Sequence, residues 1–153
     1  EYLIKALNID KKLLGINHDE YSNILNELGL LYTDSKEFSK ALNCFTKVKS
    51  NAKNTFGIES IEHATSLNNL GHLYFKLRQF KTSLSYFNKA LKIKQNIDKK
   101  DLIDLSMSYS NIGAAYSEMG KYDLAEKYYN LSEKGLRKYK NTFEYNFYLN
   151  NKR

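Results

Sequence analysis

Apolar side chains recur along this chain at spacings of three and four, the pattern of helices that each bury one face. Between Ser60 and Leu77 they are Ala64, Leu67, Leu70, Leu73, Tyr74 and Leu77. Between Phe80 and Ile97 they are Leu84, Phe87, Ala90 and Leu91, with Lys94 on the same side, where its stem can cover apolar neighbours. The intervening Arg78-Gln79 step leaves room only for a short turn, so the two helices pack antiparallel.

The same two-helix unit occurs three times. Leu25, Leu28, Leu31 and Tyr32 pair with Phe38, Ala41, Phe45 and Val48 in the first unit. Tyr109, Ile112, Ala115 and Tyr116 pair with Tyr122, Ala125, Tyr129 and Ser132 in the third. Gly29, Gly71 and Gly113 stand 42 residues apart, each four residues after an apolar position of the first helix (helix A). A fixed period of this size marks a solenoid, so the expected fold is all-α, a stack of antiparallel helix hairpins. A glycine inside a helix costs roughly 1 kcal/mol against alanine. Three at one repeat position imply close approach of the second helix (helix B). The small residues Ala41, Ser83 and Ala125 are the expected facing positions.

The units are expected at 19–57, 60–98 and 101–140. Residues 1–15 match an isolated helix B, since Leu3 and Ala6 stand 42 residues before Phe45 and Val48. Residues 141–153 repeat fragments of a linker and a helix A, a tail or the start of a further helix. The array therefore reads as cut from a longer one. Its uncapped apolar ends would promote self-association.

Composition narrows the function classes. The chain has 153 residues and a net charge of +7, with one cysteine and no proline. A single cysteine excludes an internal disulfide and fits a cytoplasmic location. No apolar run is long enough to span a bilayer. Basic residues cluster between Glu62 and Asp98, where no acid occurs, and again at Lys134, Arg137, Lys138 and Lys140. Such clusters attract phosphates, membranes or acidic peptides, and they equally describe a solvated helix face. Nucleic acid is not the expected partner, because most tyrosines fall at core positions and do not alternate with the basic residues.

No phosphate loop, nucleophile motif or Cys-x-x-Cys is present. His18, His63 and His72 have no metal-ligand spacing among themselves or with Cys44. No catalytic role, metal or cofactor is expected.

The motif Leu28-Gly29-x-x-Tyr32, then Ala41 and Phe45, resembles the tetratricopeptide repeat. So do Leu70, Gly71, Tyr74, Phe87 and Ala90, and Ile112, Gly113, Tyr116, Ala125 and Tyr129. The 42-residue unit, with Thr65–Gly71 and Tyr86–Ile93, is similar to the kinesin-light-chain subtype. Residues 13–19 resemble that subtype's linker, with Asp19 where a proline is usual. The resemblance implies a right-handed superhelix whose A helices line a concave groove that binds a protein or peptide. Carried across by register, the groove residues are Asn23, Asn26, Leu30, Asn68, Asn69, His72, Phe75, Lys76, Met107 and Asn111. Glu27, Asp34, Thr65, Ser110, Ala114 and Glu118 share that face. Asparagine carries a donor and an acceptor, so a row of it can pair with a peptide backbone. The same residues also read as polar positions on a solvated helix face. The expected function is a protein-interaction scaffold, with a regulatory sensor module of a larger signalling protein as the alternative.

Overall fold

In the computed structural model the described residues are Lys5, 19–97 and 102–140. They form six helices: α1 (Asp19–Asp34), α2 (Phe38–Phe56), α3 (Ile61–Lys76), α4 (Phe80–Ile97), α5 (Leu102–Glu118) and α6 (Tyr122–Lys140). The expected helix at residues 1–15, His18, Asp101 and the segment 141–153 lie outside the described residues. The helices pair as hairpins α1–α2, α3–α4 and α5–α6. Each helix B then packs on the helix A of the next unit, and α3 also touches α5 lightly. Packing is thus dominated by neighbours in sequence, as in a solenoid.

Local chemistry sets the helix ends. Ser60 caps α3, its hydroxyl accepting from the His63 N–H at 3.1 Å and donating to the Gly57 carbonyl at 2.8 Å. At each A–B turn one residue adopts a left-handed conformation: Lys36 (φ 60°), Arg78 (φ 59°) and Gly120 (φ 70°). These stand 42 residues apart. Around each, two backbone bonds close the end of helix A. The N–H of Glu37, Gln79 and Lys121 donates to the carbonyl of Tyr32, Tyr74 and Tyr116. The left-handed residue itself donates three residues back, to Thr33, Phe75 and Ser117. This pairing is the Schellman motif, for which glycine is the favoured residue.

The repeated glycines make room for an aromatic ring rather than for a small residue. A Cβ on Gly71 would stand 2.5 Å from Phe87 Cδ1, and one on Gly29 would stand 2.5 Å from Phe45 Cε1. At Gly113 the nearest atom is Tyr129 Cε1, at 2.9 Å. Ser83 and Ala125 do approach the glycines. The Ser83 hydroxyl donates to the Gly71 carbonyl at 2.8 Å, and the Ala125 carbonyl lies 3.3 Å from the Cβ site of Gly113. The body that fills each glycine's notch is nevertheless the ring one turn later, because a flat ring laid on bare helix backbone removes the most apolar area from water.

The core alternates between hairpin interiors and junctions. Tyr21, Leu25 and Leu28 cluster with Cys44 and Val48 inside the first hairpin. Ala41 and Phe45 join Leu70 and Leu73 across the first junction. Leu84, Phe87 and Leu91 join Leu105, Ile112 and Ala115 across the second. Phe45 and Phe87 are 1% and 2% exposed, while Tyr129 in the same register is 41% exposed, since no described helix follows α6. Burial pushes the Cys44 thiol up, with Lys47 opposing, so this buried, unpaired cysteine stays protonated and unreactive.

Candidate functional site

The A helices α1, α3 and α5 carry every residue expected to line the groove. Positions 42 apart form rows across them: Asn23, Thr65 and Met107; Asn26, Asn68 and Ser110; Glu27, Asn69 and Asn111; Leu30, His72 and Ala114; Asp34, Lys76 and Glu118. Asn23, Leu30, Lys76 and Met107 are exposed, Met107 at 61%. Asn26, Asn68, Asn69, His72, Phe75 and Asn111 are half-buried.

The asparagines pair with one another. Asn69 Nδ2 donates to Asn26 Oδ1 at 2.5 Å, and Asn111 Nδ2 donates to Asn68 Oδ1 at 3.2 Å. Each bond ties one helix A to the next with a separation of 43 residues, one more than the repeat. The four asparagines therefore hold the hairpins together, each spending a donor or an acceptor on doing so. The spacing does not reveal that role, because the bonds run diagonally and leave the 42-residue register.

Phe75 packs on the second junction and meets the Phe80 ring edge-on at 5.4 Å. Part of its apolar surface is thus already used, whereas Leu30 and Met107 stand open. Burial holds the His72 imidazole below its ordinary range, Lys76 adds to this, and Asp34 opposes it. His72 is a neutral group in the middle of the face at pH 7. At the far edge Arg78 and Glu118 lie 3.7 Å apart, both well exposed, so the pair contributes little.

A cleft of about 350 Å³ lies at the first junction. Asn23, Asn26, Thr65 and Asn69 line it from the A helices, as expected residues of the groove. Val48, Ala52 and Phe56 from the last turns of α2 also line it, with Ile61 and Glu62 at the start of α3. These five lie outside the groove expected from register. The available signal is Ala52, which stands where the second unit has Lys94.

Among the described residues no group of three or more His, Cys, Asp or Glu is placed to hold a metal ion. No described helix is long and apolar enough to cross a membrane.

A tetratricopeptide-repeat family model matches residues 1–54 and 62–138. No curated protein matches the chain. Among solved structures, BtubC (BKLC) from P. vanneervenii superposes with a TM-score of 0.84 at 24% identity, over 92% of this chain and 56% of that one. A candidate kinesin light chain from Podosopora anserina, built of nearly identical TPR-like repeats, gives 0.72 at 16% identity, over 92% and 66%. A point variant of that same protein gives 0.72 at 18%, over 92% and 65%. This likeness is one of fold, and the chain spans between 56% and 66% of the length of these structures. With its helical hairpins, its 42-residue glycine register and the family match over most of its length, the chain belongs to the tetratricopeptide repeat family.

Proposed function

We propose that this array is a non-catalytic protein-interaction module that binds a peptide segment of a partner along the face of α1, α3 and α5. The observation that carries the reading is the cleft at the first junction. It is a concavity of about 350 Å³ with apolar walls and asparagine side chains at its edge, the combination expected of a specific binding site. Leu30 and Met107 extend the same face with exposed apolar groups.

Leu30 and Met107 are also the best probes. Both are exposed, so Leu30→Asp with Met107→Asp leaves the core intact. Asn69→Ala with Asn111→Ala is a poorer probe, since it also removes two bonds between hairpins, each worth about 1 kcal/mol. Peptides selected from a displayed random dodecapeptide library serve as ligands. The Leu30/Met107 double variant is expected to lose their binding by fluorescence anisotropy with its circular dichroism unchanged. Thr46→Asp, on the exposed side of α2, is expected to keep it. Binding that survives the first change and is lost with the second would place the site on the B helices instead.

A further inference from the structure

The hairpins are offset copies, so the two junctions can be compared residue by residue. At the second junction Lys94, near the end of α4, is buried. Its ammonium lies 2.5 Å from Asp104 Oδ1 and 3.4 Å from Ser108 Oγ, both on α5. The counterparts at the first junction, 42 residues earlier, are Ala52, Glu62 and Ser66. The carboxylate and the hydroxyl are retained there, and the cation is replaced by a methyl group. These three residues line the 350 Å³ cleft.

The lining has the composition that a lysine requires. Among the described residues of the lining Glu62 alone is an acid or a base. Glu62 has no ion-pair partner among the described residues. Val48, Phe56 and Ile61 supply apolar surface for an alkyl stem. An acidic side chain entering the cleft would meet like charge, and a neutral one would leave the carboxylate desolvated without a partner.

We propose that the cleft accepts the side chain of a lysine from the bound peptide. Its ammonium meets Glu62 as Lys94 meets Asp104 within the fold. This rests on the peptide-groove reading above and adds the identity of one ligand residue.

The test uses the same displayed dodecapeptide library on the wild type and on Ala52→Lys, which supplies the cleft with a lysine of its own. The wild type is expected to select peptides with lysine at one fixed position, and Ala52→Lys is expected to lose that enrichment. In a selected synthetic peptide, lysine to methionine should weaken binding about tenfold, the scale of a charge-assisted hydrogen bond. Glu62→Gln should erase the difference between the two peptides. Ala52→Lys should melt at or above the wild-type temperature, which separates a filled cleft from a damaged fold. Peptides that bind in the groove without lysine preference, or lysine peptides that bind Ala52→Lys as tightly as wild type, overturn the lysine assignment and leave groove binding standing. A library that yields no binder overturns both. Self-association of the wild type in sedimentation, abolished by Ala52→Lys, would put a lysine of a second copy in the cleft and overturn the peptide assignment.

Discussion

Replacing Gly71 with alanine sets two effects of known sign against each other. Alanine favours the helix over glycine by about 1 kcal/mol. Its Cβ, however, would stand 2.5 Å and 2.6 Å from two ring carbons of Phe87. Phe87 is 2% exposed and is held in the second-junction cluster with Leu84, Leu91 and Ile112, so the ring has nowhere to go without moving a closely packed core. Overpacking of this kind costs about 1–3 kcal/mol, and the net loss is up to about 2 kcal/mol. For a chain of this size each 1 kcal/mol shifts the melting temperature by about 2–4 °C. Gly113→Ala is the internal control. The ring it meets, Tyr129, is 2.9 Å away and 41% exposed, so it can swing outward, leaving the 3.3 Å approach of the Ala125 carbonyl to set against the helix preference. Thermal melts followed at 222 nm should therefore show Gly71→Ala up to several degrees below wild type and below Gly113→Ala. Adding Phe87→Leu to Gly71→Ala should cost less than the sum of the separate changes, because both act on one contact. A Gly71→Ala melt above wild type, or equal shifts in the two alanine variants, would refute the ring-on-glycine account.

Two further outcomes follow from the turns and the histidines. Lys36 and Arg78 hold the left-handed conformation that Gly120 adopts freely, at about 1–2 kcal/mol for a side chain with Cβ. Lys36→Gly and Arg78→Gly should each raise stability in urea by about 0.5–1 kcal/mol, after the entropy of glycine is deducted, and a loss at both sites would reject the shared turn geometry. Burial is the main cause holding His63 and His72 below the ordinary imidazole value of 6.5. The unfolded chain therefore binds more protons than the folded one below that value. Stability is full above about pH 6.5 and falls as pH drops through it and below. Melting temperatures measured from pH 7.5 to 5 should decline, and His63→Gln with His72→Gln should flatten the decline; an unchanged slope in that variant would reject the assignment.

What the sequence discloses depends on whether a feature repeats at one register. The bounds of α3 and α4 follow from apolar spacing and from the short Arg78-Gln79 turn, while the Ser60 cap is seen only in the structure. Gly29, Gly71 and Gly113 announce a close approach, but the approaching group is a ring and not the expected small residue. Helix geometry alone does not say whether the facing Ser83 or Phe87, one turn further on, reaches the notch. The Asn26–Asn69 and Asn68–Asn111 bonds run across the register at 43 residues, so a 42-residue comparison does not find them. The cleft at the first junction arises from a departure from the repeat, Ala52 in the place of Lys94. Such departures become legible only when both junctions can be seen filled or empty.

The diagonal asparagine bonds act as tie rods between consecutive A helices. Each joins a residue on one helix A to the residue one place beyond its repeat counterpart on the next. Sliding one A helix along the next has to break such a tie, at about 1 kcal/mol each. Resistance of the solenoid to force along its length is therefore shared between the apolar junctions and these four side chains.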